Sequence, residues 1–186
     1  MIPDKWINIF NSDPIFLITG HFTKISTLKN KLNRSLTYRK KVLVLRIKNN
    51  YIDIDEAVNI ATKFCKKNNM PLILNTPNKF DFNADGYHLR AKELKSKDIP
   101  ISKKIIGASC HNREELLMAK KLGCDYAFLS PVISKGDSKV LGWNKFLKLK
   151  NEFLSLKIIP LGGINESNSM HNSYAGISHW WDHQNP

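Results

Sequence analysis

Short apolar runs alternate with amphipathic, helix-like stretches along most of the chain. The runs cover residues 15–19, 42–47, 72–74 and 84–89, and they recur near residues 105, 126, 158 and 176. Strand-like runs separated by helix-like stretches predict repeated βα units and a parallel sheet. Eight such units would close into an α/β (β/α)8 TIM-type barrel, which we expect here. Five or six units would instead form an open doubly wound sheet.

The beginning of the chain does not follow the βα pattern. Residues 1–13 form a separate N-terminal segment, in which Trp6, Ile7 and Phe10 are suited to cover the floor of the barrel. The whole chain, residues 1–186, is long enough for one domain with a substantial core. It is short for a TIM-type barrel, which typically has about 250 residues. We therefore expect a single compact barrel with short loops.

The end of the chain is the least regular part. Residues 165–174 are polar and poor helix formers, so the eighth βα unit is expected to be imperfect. A last strand is predicted over residues 176–178. The C-terminal tail, residues 179–186, contains two adjacent tryptophans that we expect to lie against the barrel.

The chain is strongly basic, with 29 basic and 16 acidic residues and a formal net charge of +13. Such a charge is common in proteins that bind nucleic acids or anionic membranes. Here the basic residues are mostly lysines scattered over helix faces, without a cluster of arginine and aromatic residues. We therefore expect no nucleic-acid and no membrane partner, and we expect the charge to attract small phosphorylated substrates.

The number and spacing of the cysteines and the length of the apolar runs indicate the cellular compartment of the protein. Cys65, Cys110 and Cys124 are odd in number and lack the spacing of a metal site. They suit reduced thiols. The first ten residues lack a signal-peptide pattern, and no apolar run approaches the roughly 20 residues of a membrane span. We expect a cytoplasmic protein.

Residues with special chemistry follow the predicted strands at their carboxyl ends. Ser109 and His111 follow one strand, Ser130 follows the next, and Gly162 with Gly163 follows the one after that. In a parallel α/β fold, ligands bind at this end of the strands. Two adjacent glycines let backbone N–H groups approach an anion closely, and phosphate is the usual anion. The sequence therefore predicts a phosphate-binding site at this end of the barrel.

Four segments carry a family resemblance: Gly107–Asn112, Gly123–Val132, Leu141–Trp143 and Pro160–Ile164. Together they resemble the thiamine phosphate synthase family, most closely its branch fused to Nudix hydrolase domains. The resemblance implies a transferase that joins a hydroxymethylpyrimidine pyrophosphate to a thiazole phosphate, giving thiamine phosphate and pyrophosphate. In that reaction pyrophosphate leaves to give a pyrimidine cation, which the thiazole nitrogen captures. Related thiazole tautomerases place a histidine where Pro131 stands, so their activity is not expected here.

The resemblance also implies catalytic and binding residues on the pyrophosphate side. Arg46 and Lys48 match a cationic pair at the end of the second strand, where arginine can bind phosphate oxygens in pairs. Asn75 matches an asparagine of the substrate site. Lys139 is the candidate pyrophosphate-binding lysine of the loop after the sixth strand, with Lys135 as the alternative. Each cation could instead be a solvated charge at a strand end.

The resemblance further implies that Ser109, whose hydroxyl can bond a phosphate oxygen, belongs to the site with His111 as its companion. His111 could instead be merely a residue at the start of a helix. Gly162 and Gly163 match the phosphate cradle. His88 lies within the fourth predicted strand, and we interpret it as a core histidine with its hydrogen bonds satisfied.

The metal positions depart from the family pattern. The resemblance implies Mg²⁺ at the departing pyrophosphate, held by two carboxylates. Thr76 replaces the first of these, and Glu93 is the candidate for the second. Arg90 and Lys92 bring positive charge to the same stretch, although Mg²⁺ prefers carboxylate and water oxygens. We expect a damaged metal site, where the two cations either act as counter-charges to pyrophosphate or are surface charges.

Two functions stay open at this point. One is the synthase, and the other is a catalytically weak or inactive barrel of the same family that binds phosphorylated ligands and regulates. Arg46, Asn75, Ser109 and the glycine pair fit both, whereas the missing metal carboxylates favour the second. A homodimer and a separately encoded Nudix hydrolase are further candidate partners.

Overall fold

The computed structural model of the chain describes residues 2–48, 51–96, 99, 104–133 and 140–182. Within them the strands, in chain order, are β1 (Ile15–Ile18), β2 (Lys41–Arg46), β3 (Leu72–Asn75), β4 (Gly86–Leu89), β5 (Ile105–Cys110), β6 (Tyr126–Leu129), β7 (Lys157–Pro160) and β8 (Ala175–Gly176). All eight are parallel and follow the order β7-β6-β5-β4-β3-β2-β1-β8. A single bridge between Leu161 and Ala175 joins the two ends of the sheet. The predicted TIM-type barrel is confirmed, and it is nearly closed.

The helices of the described residues are α1 (Asp4–Asn11), α2 (Ile25–Leu32), α3 (Ile54–Lys67), α4 (Arg113–Lys121), α5 (Gly142–Glu152) and α6 (Ser178–Trp181). Short 3₁₀ helices, Lys79–Asp81 and Ala91–Lys95, take the place of full helices after β3 and β4. Because these short helices need fewer residues than full ones, a chain of 186 residues can form the barrel. Among the described residues, no helix combines the length and the apolar character that crossing a membrane requires.

The strands alternate between two apolar layers, as side chains on successive residues must. Residues such as Leu17, Leu43 and Leu74 point outward and pack under the helices. The inward residues form a separate cluster that fills the barrel, and α1 closes its floor. This interior cluster consists of Trp6, Phe10, Phe16, Ile18, Val42, Val44, Ile73, Ile105, Tyr126, Phe128, Ile159 and Ala175.

The N-terminal segment is a helix that supplies two of the three expected floor residues. Trp6 is 5% exposed and Phe10 is 1% exposed, whereas Ile7 is 37% exposed. The prediction was therefore wrong for Ile7. Trp6 and Phe10 are four residues apart and share one face of helix α1, whereas Ile7, one residue after Trp6, is rotated away from that face.

The eighth unit has no helix between β7 and β8. Residues 165–174 form turns, in which the Asn165 side chain accepts the N–H groups of Ser167 and Asn168. Strand β8 ends at Gly176, earlier than predicted, because Ser178 begins α6. Trp180 and Trp181 of that helix are both buried. Their indole N–H groups donate to the carbonyls of Ile18 and His21 after β1, so the helix covers the seam between β8 and β1.

Candidate active site

A cavity of about 330 Å³ opens at the carboxyl ends of the strands. Five of the residues expected at the site lie in its wall, namely Arg46, Lys48, Asn75, Ser109 and His111. The wall also contains Ile18, Ile47, His88, Arg90, Ala91, Phe128, Ser130, Leu161 and Ile177. The structure thus collects residues from β1, β2, β3, β4, β5 and β6 and from the segments that follow them.

The alternation of the strands explains this convergence. Val44 fills the barrel interior, and Arg46, two residues later, faces the same way at the strand end. Arg46 is the parallel partner of Asn75 on β3, so their side chains are neighbours on one face. Arg46 is fixed from the other side by Thr19, whose hydroxyl accepts the Arg46 N–H at 2.8 Å.

Arg46 and Lys48 are cations without a carboxylate partner in the described part of the chain. None of the ion pairs within the described residues contains either side chain. Burial lowers the pKa of Arg46, and the nearby Arg46 charge is the main cause that lowers the pKa of Lys48. Two cations that repel each other beside a cavity favour binding of a polyanion.

The double-glycine turn lies beside this cavity. A second cavity of about 250 Å³ is lined by Gly162, Gly163 and Ile164 and shares Leu161 and Ile177 with the first. Among the described residues, the Gly163 N–H has no hydrogen-bond acceptor. An anion in the second cavity would supply one.

Both glycines are required by the backbone itself. Gly162 has φ of 97° and Gly163 has φ of 69°. A Cβ at Gly163 would lie 2.6 Å from the carbonyl oxygen of Ile133. The turn therefore runs tightly along the segment after β6, to which it is joined by the bond from the Ile133 N–H to the Gly162 carbonyl at 3.0 Å.

Ser109, His111 and Ser130 form a polar part of the wall of the first cavity. The Nδ1 atom of His111 lies 2.8 Å from the Ser130 carbonyl oxygen, so that nitrogen carries a proton and donates. The Ser109 hydroxyl lies 2.8 Å from Nε2 of His88, which is 1% exposed. The interpretation of His88 as a satisfied core histidine agrees with its two ring contacts, to Ser109 and to the Tyr126 hydroxyl at 3.1 Å.

The structure does not bring Glu93 to the cavity wall. One Glu93 oxygen lies 2.7 Å from the Lys79 ammonium, and the other accepts the Arg90 N–H at 2.6 Å. Thr76 is fully buried, and its hydroxyl has no hydrogen-bond partner among the described residues. Mg²⁺ needs free oxygen ligands in octahedral geometry. A hydroxyl and a carboxylate already bound by an ammonium do not fit that ion, and no cluster of three or more metal-ligating side chains occurs in the described part of the chain.

The other basic residues near the site differ in where they lie. Lys139 and its alternative Lys135 lie outside the described residues. Lys92 is exposed and absent from the cavity wall, whereas Arg90 is part of it. The sequence reasoning missed Lys79, which is 2% exposed. Nothing in its local sequence signals burial, because its partner Glu93 is supplied by another segment.

Comparison with known proteins agrees with this geometry. A profile of the family described as thiamine monophosphate synthase matches residues 15–180. The thiamine-phosphate synthase of Vibrio campbellii is 28% identical over 180 residues, covering 90% of this chain and 86% of the relative. That of Bacillus licheniformis is 33% identical over 112 residues, covering 56% of this chain, and the match spans 50% of the relative's length.

A solved structure shares the fold. Thiamine phosphate pyrophosphorylase from Bacteroides thetaiotaomicron superposes with a TM-score of 0.55 at 19% identity, covering 91% of this chain and 85% of that one. At this identity the likeness concerns the fold alone, and the family assignment rests on the profile match. The chain belongs to the thiamine monophosphate synthase family.

Proposed function

We propose that this protein is a thiamine phosphate synthase of thiamine biosynthesis, which condenses hydroxymethylpyrimidine pyrophosphate with thiazole phosphate. The observation that carries the proposal is the pair of adjoining cavities at the carboxyl ends of the strands. The wall of one cavity contains Arg46 and Lys48, which belong to no ion pair of the described residues. The wall of the other contains the double-glycine turn. A reaction between a pyrophosphate ester and a phosphate ester needs two such anion sites side by side.

The pyrophosphate is assigned to the cavity that contains Arg46, Lys48 and Arg90. As the bond between the pyrimidine CH₂ and oxygen breaks, its electron pair leaves with the pyrophosphate, and cations around that group stabilise the developing charge. Asn75 is next to Arg46 and is suited to orient the substrate. Lys139 remains the proposed loop lysine for the same group.

The thiazole phosphate is assigned to the Gly162–Gly163 turn. The N–H of Gly163, which has no acceptor among the described residues, would donate to a phosphate oxygen. The ring would then extend past Leu161 and Ile177, which both cavities share. From there its nitrogen lone pair can form the new C–N bond to the pyrimidine cation. Ser109 and His111, in the wall of the first cavity, are assigned to polar groups of the substrates.

The family generally uses Mg²⁺, but the oxygen donors at Thr76 and Glu93 do not support a protein-held metal within the described residues. We propose that Glu93 serves as the counter-ion of Lys79 and not as a metal ligand. Arg90, whose Nε lies 3.7 Å from Glu93 and which reaches the cavity wall, supplies part of the positive charge in place of the ion.

The test is a synthesis assay with purified protein, both phosphorylated substrates, and detection of thiamine phosphate by mass spectrometry. Product that requires the protein and both substrates supports the proposal. Binding of both substrates by calorimetry without any product would instead favour the alternative, a regulatory barrel that binds phosphorylated ligands. Arg46→Gln serves as the site variant, and Lys120→Gln, an exposed cation on α4, serves as its matched control.

The proposal extends to the cellular context. A cytoplasmic location is consistent with Cys65, Cys110 and Cys124, which are free and buried thiols. A homodimer is proposed as the assembly, to be measured by light scattering. A separately encoded Nudix hydrolase is proposed as a partner because the sequence resembles barrels fused to such domains, and co-purification with a candidate hydrolase tests it.

A further inference from the structure

Tyr126, His88 and Ser109 form a chain of hydrogen bonds from the barrel interior to the cavity wall. The Tyr126 hydroxyl lies 3.1 Å from His88 Nδ1, and the Ser109 hydroxyl lies 2.8 Å from His88 Nε2. Tyr126 is 0% exposed and His88 is 1% exposed. Both ring nitrogens of His88 are engaged, so Ser109 is the member of this chain with hydrogen-bonding capacity left for a ligand.

Ring packing fixes this chain in place. The His88 ring stacks on Phe128 with centroids 4.5 Å apart, and the Tyr126 ring packs on Phe16 at 4.7 Å. A Cβ at Gly107 would collide with the Tyr126 ring, so the absence of a side chain on β5 lets the tyrosine lie across the barrel. The three polar groups are therefore held by neighbours on three different strands, β1, β5 and β6.

The direction of the bonds follows from the protons available. If the Tyr126 O–H donates to Nδ1, the imidazole N–H is on Nε2 and donates to Ser109, and each buried proton has an acceptor. In the reverse direction the Tyr126 proton would have none, because within the described residues its hydroxyl has no hydrogen-bond partner except Nδ1. A buried hydroxyl proton without an acceptor is unfavourable. The first direction is therefore the stable one.

The protonation states agree with this direction. Burial, with a smaller contribution from the Lys79 charge, lowers the pKa of His88 to about 3, so near-neutral solution leaves the ring uncharged with one N–H. Burial also raises the pKa of Tyr126 well above its usual range, so the phenol keeps its proton.

We infer that Tyr126 and His88 are positioning residues that present the Ser109 hydroxyl to the substrate as a hydrogen-bond donor. Since Ser109 already accepts a proton from His88, its own proton points away toward the cavity. The substrate group that receives the Ser109 proton is then an acceptor, either a phosphate oxygen or an unprotonated ring nitrogen. The identity of the ligand rests on the proposed function, whereas the direction of the bonds belongs to the free protein.

The first test is therefore made without any ligand. In ¹⁵N-labelled full-length protein, nitrogen NMR distinguishes a ring nitrogen that carries a proton from one that does not. The His88 signals are assigned by their loss in His88→Gln. At neutral pH we expect a protonated Nε2 and an unprotonated Nδ1. The opposite tautomer, or an imidazolium, overturns the inference.

The second test measures whether Tyr126 acts through Ser109. Affinity for hydroxymethylpyrimidine pyrophosphate is measured by calorimetry for Tyr126→Phe, Ser109→Ala and the double variant. We expect Tyr126→Phe to weaken binding about threefold to tenfold, as loss of one oriented hydrogen bond does. In the Ser109→Ala background the same change should have almost no effect, because coupled residues are not additive. A purely structural role of Tyr126 would give equal losses in both backgrounds and would overturn the inference.

Tyr87→Phe is the matched control, since it removes a tyrosine hydroxyl that donates to the Phe82 carbonyl outside the barrel interior. It should leave affinity unchanged, and a loss equal to that of Tyr126→Phe would count against the inference. Titrating inorganic pyrophosphate and unphosphorylated hydroxymethylpyrimidine separately shows which acceptor Ser109 meets, because Ser109→Ala should weaken only one. If wild-type protein binds none of these ligands, the proposed function fails, and the NMR experiment still decides the direction of the bonds.

Discussion

The ammonium of Lys79 lies 2.7 Å from the Glu93 carboxylate, and the Lys79 side chain is only 3% exposed. A charge removed from water in this way needs a partner, or the protein loses stability. Glu93 also accepts the Arg90 N–H, so it joins the loops after β3 and β4 at the edge of the cavity. The carboxylate that family resemblance made a candidate metal ligand thus neutralises a lysine of the same chain.

Removing the charge of Glu93 should destabilise the fold. We expect Glu93→Gln to lower the free energy of unfolding by about 1–3 kcal/mol, because Lys79 would keep its burial and lose its counter-ion. Urea unfolding followed by tryptophan fluorescence measures this. The matched control is Glu152→Gln, which removes an exposed partner of Arg113 and should cost less than about 1 kcal/mol. Equal losses of unfolding free energy in the two variants would show that the Lys79–Glu93 pair stabilises the fold no more than an exposed ion pair does.

The free energy of unfolding of wild-type protein should exceed that of Glu93→Gln by an amount that depends on pH. This difference is the advantage of the wild-type protein. Burial alone would raise the pKa of Glu93, but its bonds to Lys79 and to the Arg90 N–H outweigh this and hold the pKa below its usual value. The contribution is then fully present above the pKa of the unfolded chain and is lost as the pH falls through the folded pKa. Urea titrations of both proteins from neutral to strongly acidic pH should therefore show the advantage shrinking. An advantage that grows in acid would mean that the ion pair is not its source.

Substrate binding should depend little on divalent metal. With Thr76 and the occupied Glu93, the described wall of the cavity holds no free carboxylate for Mg²⁺, and Arg46, Lys48 and Arg90 offer fixed positive charge in its place. We expect the affinity for inorganic pyrophosphate, measured by calorimetry, to agree within about twofold in Mg²⁺ and in EDTA. We also expect thiamine phosphate synthesis to be slow and to persist in EDTA. Fast synthesis that EDTA abolishes would show that the pyrophosphate itself brings the metal to the site.

Gly163→Ala separates the strain of a positive φ from the role of the double-glycine turn. Gly163 has φ of 69° and its added Cβ would press on the Ile133 carbonyl. Gly123, at the end of α4, has φ of 71° and open space around its Cβ. Gly123→Ala should cost stability, about 1 kcal/mol or more, and leave binding intact.

Gly163→Ala should in addition weaken thiazole phosphate binding at least tenfold, or about 1.4 kcal/mol, by calorimetry. The direct obstruction falls on the Ile133 carbonyl and not on the cavity, so the loss reflects displacement of the turn and its N–H. Unchanged affinity in a folded Gly163→Ala protein would place the phosphate elsewhere.

The barrel was predictable because apolar periodicity marks its strands. Runs such as residues 42–47 are apolar on both faces, and that pattern is typical of a parallel strand covered by helices. The convergence of Arg46, Asn75 and Ser109 follows from the same reasoning, since the carboxyl ends of parallel strands meet at one rim. Neither step needs knowledge of which side chains touch.

What the sequence did not predict depends on contacts between distant segments. The burial of Lys79 requires Glu93, 14 residues away, and the orientation of Ser109 requires His88 and Tyr126 from two other strands. The helix over residues 4–11 was missed for a related reason, because its stability comes from Trp6 and Phe10 packing on the barrel floor.

The last prediction concerns Arg46, which should strengthen pyrophosphate binding without contributing to the free energy of unfolding. This side chain is partly buried, its pKa is lowered by burial, and it belongs to no ion pair of the described residues. Arg46→Gln should therefore leave the free energy of unfolding unchanged or raise it, as expected when a site holds an unpaired charge for a ligand. The same variant should lose about 10- to 100-fold in pyrophosphate affinity, since a charged hydrogen bond contributes about 1.5–3 kcal/mol. Lys120→Gln removes an equal charge from the surface of α4 and should change neither quantity by much. If Arg46→Gln instead unfolds more easily and binds pyrophosphate as well as wild-type protein does, Arg46 supports the strand end, and the anion site has to be sought elsewhere.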